Sequence, residues 1–294
     1  MTARGMRSSV ERRTCVGANG VELVADARGN PDDPAVLLLH GGGQTRHSWG
    51  NTAQALGSAG FYAVNADLRG HGESGWDPAA DYSFDAQMVD VETWCRELDR
   101  PAIVGASMGG LAGLWTEGVR AASGRPPAGS CLVLVDIAHR SELTGVNRVL
   151  DFMSGNPEGF ASVDEAADAV AEYLPHRTRP SSSDGLARNL REGDDGRFRW
   201  HWDPEFMTGT RPRSSVDFDL FTEHARHLTL PVLLVRGGRS DVLSRELADE
   251  FLTLVPHAEF ADVGDAHHMV AGDQNDVFST AVIDFLTRVV GRRR

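Results

Sequence analysis

From Ala102 the chain runs through an unbroken apolar stretch, Ala102-Ile103-Val104, into Gly105-Ala106-Ser107-Met108-Gly109 and then a Gly-, Ala- and Leu-rich segment of helical character. A G-x-S-x-G sequence between an apolar run and a helix reads as strand, sharp turn and helix, with the serine hydroxyl projecting over the end of a sheet. Glycine flanks the serine because side chains at Gly105 and Gly109 would collide where strand and helix cross. Nothing structural requires a serine at the apex, so Ser107 is a candidate nucleophile. In a chain with 32 glycines the pattern can also arise by coincidence, and its surroundings have to decide.

Those surroundings alternate between two periods. Val21 to Ala27, after a turn at Asn19-Gly20, predicts an opening hairpin with Cys15-Val16. Further strands are predicted at Ala35 to Leu39, Phe61 to Ala66, Ala102 to Val104, Cys131 to Ile137, Pro231 to Val235 and Ala258 to Val263. Helical patterns fall between them, from about Ser48 to Ser58, Phe84 to Leu98, Ser244 to Leu254 and Asp276 to Val290. Continuous apolar strands interleaved with amphipathic helices predict an α/β fold with a mostly parallel central sheet and helices on both faces. The rhythm breaks between residues 139 and 226, a polar stretch that is helical in places (Val163 to Tyr173) and carries Trp200-His201-Trp202. It is too long for a simple connection and reads as an inserted helical cap over the sheet's carboxyl edge. The core domain is then 14–138 with 227–294, and the cap is 139–226.

The 294 residues suffice for such a core. A formal net charge of −13, with no basic run longer than Arg292-Arg293-Arg294, argues against nucleic acid or an anionic membrane as partner. No phosphate-binding G-x-x-x-x-G-K-[ST] loop is present, and a small, neutral or modestly charged substrate fits best. Cys15, Cys95 and Cys131 are isolated, with neither zinc nor redox spacing. The apolar runs are only strand-length, and Met1 to Arg13 lacks an apolar signal core, so a cytoplasmic protein is expected. Nothing in the sequence sets an oligomeric state.

A serine hydroxyl needs a histidine to take its proton and an acid to orient that histidine. On a sheet of this kind they follow the serine in the order acid, then histidine, at strand ends. Asp241 lies in the loop Arg236-Gly237-Gly238-Arg239-Ser240-Asp241 after one strand, and His267-His268 in the loop after the last. Asp136, at the end of the strand from Cys131, is the alternative acid. Asp262 and Asp265 lie too near the histidines along the chain to orient them. Two backbone N–H donors should hold a developing oxyanion: Met108, at the start of a helix, and one from His40-Gly41-Gly42-Gly43.

From about Val21 to Val290 the chain resembles the α/β-hydrolase superfamily, particularly its capped serine esterase and cofactor-free haloperoxidase-like branch. The matching segments are His40-Gly41-Gly42-Gly43 with Trp49, Asp67 to Ser74, Gly105 to Gly109, Gly237 to Asp241, and His268-Met269-Val270. Alignment on Met269 implies His268 as the catalytic histidine, with His267 where glycine is usual. The resemblance also implies Asp241 as the acid, ahead of Asp136, and Gly42 with Met108 as oxyanion donors. It implies neither cofactor nor metal. His224 and His227 have a helical spacing that can hold a metal, but a surface role is expected of them instead. Within Asp67 to Ser74, Asp67 and Arg69 are expected to fix a loop rather than to act on substrate. Trp200 and Trp202 are expected either to line the pocket or to form the cap's own core.

The expected activity is hydrolysis of a small carboxylic ester, thioester or lactone through an acyl-enzyme. A serine at the apex disfavours dehalogenation and epoxide hydrolysis, which need a carboxylate there. The alternatives are hydrolysis of a carbon–carbon bond in a ring-cleavage product, cofactor-free perhydrolysis, or a non-catalytic small-molecule receptor.

Overall fold

A computed structural model describes residues 10–175, 184–208, 216–264, 266, 268 and 275–291. The strands are β1 (Glu11–Val16), β2 (Glu22–Arg28), β3 (Ala35–Leu39), β4 (Tyr62–Ala66), β5 (Ala102–Ala106), β6 (Cys131–Val135), β7 (Leu190–Glu192), β8 (Phe198–Trp200), β9 (Val232–Gly237) and β10 (Glu259–Val263). The helices are α1 (Gly50–Ser58), α2 (Phe84–Glu97), α3 (Met108–Ala122), α4 (Leu143–Ser154), α5 (Val163–Tyr173), α6 (Asp184–Ala187), α7 (Glu205–Thr208), α8 (Phe218–Arg226), α9 (Arg245–Leu254) and α10 (Asn275–Val289).

Eight strands form one sheet in the order β1-β2-β4-β3-β5-β6-β9-β10. The pairs β1–β2 and β2–β4 are antiparallel, and every pair from β4 to β10 is parallel. Successive side chains on a strand face opposite sides, and β3 shows why its apolar run is unbroken. Leu37 and Leu39 face one core with Trp94 and Leu111, while Val36 and Leu38 face the other with Trp49, Phe278 and Phe285. This is the α/β-hydrolase fold expected from the sequence, with helices over both faces.

The first strand extends further than its two apolar residues suggested, because it is an exposed edge whose pairing with β2 needs no buried side chains. The β7–β8 hairpin, which no apolar periodicity announced, pairs Leu190–Glu192 with Phe198–Trp200 around a turn containing Gly196. Within 139–226, α4, α5, β8 and the segment around Asn189 bound a cavity at the carboxyl ends of β3 and β5. Helix α8 does something different: its Phe221 packs on Trp115 of α3 and Phe84 of α2, and its backbone passes close to Gly118. Among the described residues, no helix is long and apolar enough to cross a membrane.

Candidate active site

Ser107 sits between β5 and α3 with φ 47° and ψ −116°, in the strained region that a nucleophile elbow requires. The crossing leaves no room for side chains beside it. A Cβ on Gly105 would lie 2.4 Å from the Gly109 backbone, and one on Gly109 would lie 2.4 Å from the Leu39 carbonyl oxygen. The Ser107 N–H donates to Val135 C=O (3.2 Å), and the Gly109 N–H donates to His40 C=O (3.1 Å). The elbow is thus tied to β6 on one side and to the end of β3 on the other.

His268 reaches the same place from beyond β10. Its Nδ1 lies 2.7 Å from Oδ2 of Asp136, and it lines two cavities together with Ser107. The carboxylate oxygen is the acceptor of this bond, so Nδ1 is its donor and Nε2 is the ring nitrogen left for another partner. His267, Asp265 and Met269 lie outside the described residues.

The expected acid, Asp241, is not at His268. Its carboxylate forms an ion pair with Arg148 of α4 at 2.9 Å, half exposed on both sides. Asp136, fully buried at the end of β6, holds the position instead. Both strand ends are near enough to compete, because β6 and β9 are paired neighbours with Val135 opposite Val235. The direction of the loop decides between them. Gly238 and Arg239 turn toward β10, donating to Val263 C=O and Ala266 C=O, which carries Asp241 outward to α4. Asp136 has φ 54°, a left-handed conformation that aspartate tolerates better than most residues, and it is aimed inward.

Asp136 is held on every side. Its Oδ1 accepts the Gly237 N–H (2.7 Å), and its Oδ2 accepts the Ser240 hydroxyl (2.5 Å) as well as His268. Ser240 Oγ in turn accepts the N–H groups of Val242 and Leu243, each at 3.1 Å. Ser240 is not among the residues that the sequence marks. The available signal was its place one residue before the expected acid, in the loop where an acid partner was sought.

The loop after β3 carries the other backbone donors. His40, fully buried, donates from Nδ1 to Gly41 C=O (2.7 Å) and accepts the Leu68 N–H at Nε2 (3.0 Å). Burial pushes its pKa down, so the ring is a neutral fastener. His71 Nε2 accepts the Gly43 N–H (3.2 Å), and Gln44 Oε1 accepts the Gly41 N–H (3.1 Å). Gly42, between them, lines the larger cavity. At the other expected donor position Met108 heads α3, where first-turn N–H groups have no intrahelical acceptor.

The remaining motif residues are structural. Arg69 is buried and bonded to both carboxylate oxygens of Asp90 (2.6 and 2.8 Å), to Asp77 (2.9 Å), and to the carbonyls of Asp81 and Ala18. Asp67 accepts from the Arg46 backbone and guanidinium and from the Glu73 N–H. His224 packs edge-on against Trp115 at 4.6 Å, and His227 bonds Glu223; no cluster of three or more metal-ligating side chains occurs among the described residues. Trp200 does both things expected of it, stacking on Trp202 at 5.2 Å and lining the cavity. Burial pushes the Cys131 thiol up to about 12, which leaves it un-ionised at neutral pH.

Comparison with known proteins agrees with this fold. A family model described as the alpha/beta hydrolase family matches residues 36–281. The esterase Rv0045c of Mycobacterium tuberculosis is 31% identical over 250 residues, covering 82% of this chain and 78% of that protein. A crystal structure of the same esterase superposes with a TM-score of 0.73 at 27% identity, over 98% of this chain and 93% of that one. A probable protein phosphatase methylesterase of Caenorhabditis elegans is 26% identical across 75% of this chain, which spans 60% of that protein. E-2-(Acetamidomethylene)succinate hydrolase shares the fold, with a TM-score of 0.80 at 20% identity over 95% of this chain and 99% of that one. The chain belongs to the alpha/beta hydrolase family and is a hydrolase of that type.

Proposed function

We propose that this chain hydrolyses carboxylic esters, thioesters or lactones through an acyl-enzyme on Ser107, with His268 as base and Asp136 as its acid partner. The observation that carries the reading is the 2.7 Å contact between His268 Nδ1 and buried Asp136, in a cavity that Ser107 also lines. The esterase names of the relatives described above support the ester class.

In the first half-reaction Ser107 Oγ bonds to the carbonyl carbon and its proton passes to His268 Nε2. Asp136 steadies the imidazolium through the Nδ1–H bond. The carbonyl oxygen becomes an oxyanion facing the N–H groups of Gly42 and Met108, the latter at the positive end of α3. Collapse breaks the bond to the leaving group, which takes the proton from His268. Water then repeats the sequence on the acyl-enzyme and releases the acid.

Ser107→Ala should lower p-nitrophenyl acetate hydrolysis at least about 10³-fold with the melting temperature little changed. A fluorophosphonate probe should label wild type at Ser107, mapped by mass spectrometry, and should not label the variant. Full turnover by Ser107→Ala refutes the assignment.

A further inference from the structure

Two cavities of very different size meet at Ser107 and His268, and the contrast bears on what the site accepts. The smaller, of about 40 Å³, lies between α3 and α4, with Leu111, Ile137, Val146, Leu150 and Val242 among its walls. Among the described residues, its polar lining apart from Ser107 and His268 is the hydroxyl of Ser141. A void must offer about 10–15 Å³ to take a single water, so a space of that size admits only a few atoms. No charged side chain of the described residues lines it, so its described walls suit an apolar chain.

The larger cavity, of about 490 Å³, is of the size that ordinarily holds a whole small ligand. One wall is aromatic: Phe152 stacks on Tyr173 at 4.3 Å with the rings 15° apart, and Trp200 tilts against Phe152 at 5.4 Å. Flat faces of this kind receive a ring by offset or edge-on contact. The far end is polar, with Asn189 accepting the Thr45 hydroxyl at 3.2 Å and Arg188 beside His47.

An ester carbonyl placed over Ser107 has two substituents, and the two cavities extend from that point. We propose that the substrate is an ester with one short aliphatic substituent, of about three carbons or fewer, in the small lobe and one ring-bearing substituent against Phe152, Tyr173 and Trp200. The assignment rests on the serine-hydrolase reading above. It makes α4 the selectivity element, since Val146 and Leu150 bound the small lobe while Phe152 bounds the large one.

The test is a pair of ester series measured on the full chain. One is 1-naphthyl acetate, butyrate, hexanoate and octanoate; the other is methyl, propyl, hexyl and octyl 1-naphthoate. In at least one series kcat/KM should fall at least tenfold once the aliphatic part exceeds about three carbons. Val146→Phe, which fills the lobe, should move that limit down to the shortest member. Leu150→Ala, which opens it, should admit the hexyl-length member. Neither side chain takes part in the chemistry, and both variants should still label at Ser107 with the fluorophosphonate, which reports an intact nucleophile. Ester turnover with no chain-length limit, or a limit that neither variant moves, overturns the two-lobe assignment and leaves the serine-hydrolase reading intact. Absence of all ester turnover together with absence of labelling in folded wild type overturns both.

Discussion

Ser240 donates its hydroxyl to Oδ2 of Asp136 at 2.5 Å, the same oxygen that His268 Nδ1 meets at 2.7 Å. One carboxylate oxygen therefore serves two partners, and the share taken by the serine governs how strongly the carboxylate acts on the histidine. Removing a donor from an anion concentrates its charge, which favours the protonated imidazole beside it. In Ser240→Ala the acid limb of the kcat/KM profile should move to higher pH, with kcat reduced about tenfold. Ser240→Thr should restore the wild-type profile. A purely structural loss would lower the rate without moving the limb.

The two aspartates at neighbouring strand ends give opposite expectations. Asp136→Asn keeps the shape but reverses the hydrogen-bonding demand on Nδ1, and should cost on the order of 10³- to 10⁴-fold in kcat. Asp241→Asn breaks only the half-exposed pair with Arg148, a kind of contact worth about 0–1 kcal/mol. Its kcat should stay within about threefold of wild type. Steady-state kinetics on the two variants decides the matter, and equal losses would be incompatible with Asp136 as the partner of His268.

At Gly109 the expectation concerns folding. An alanine methyl would lie 2.4 Å from the Leu39 carbonyl oxygen and 2.7 Å from that of His40, both backbone atoms with nowhere to retreat. Gly109→Ala should destabilise by about 3 kcal/mol or more, read by denaturant melts. Gly50→Ala, where nothing lies within 4 Å of the added methyl, is the control and should be near neutral.

Acid sensitivity should follow His201, whose pKa burial pushes down to about 3. In the unfolded chain the ring titrates near its ordinary value of about 6.5. Between those values the unfolded state holds the extra proton, so stability falls as pH drops from about 6.5 toward 3. His201 Nδ1 accepts the Gly72 N–H at 2.8 Å, a bond that an amide oxygen can replace. The melting temperature of His201→Asn should therefore decline less steeply than that of wild type between pH 6.5 and 4. Parallel curves would remove His201 from the account.

Legibility in the sequence followed burial. Strands such as β3 and β6, sealed on both faces, were plain because every residue had to be apolar. The elbow was plain because no side chain but a hydrogen atom fits at Gly105 or Gly109. The acid was not, since Asp136 and Asp241 both follow strands and only the turn at Gly238 and Arg239 separates an inward carboxylate from an outward one. That turn is set by contacts to Val263 and Ala266, far away along the chain. The β7–β8 hairpin is silent for another reason: each strand has three residues and none is fully buried, so its pairing leaves little trace in composition.

The bond from Gly109 N–H to His40 C=O makes the end of β3 and the start of α3 a single rigid strap. Both backbone donors proposed for the oxyanion ride on it, together with the serine between them. A substitution that shifts either half displaces the other, so there is little scope for adjusting the reacting centre piecemeal. Among the described residues, the walls contributed by α4, α5 and β8 carry no such strap to the elbow. New substrate preferences in this scaffold should arise by drift in those walls, with the chemistry inherited whole.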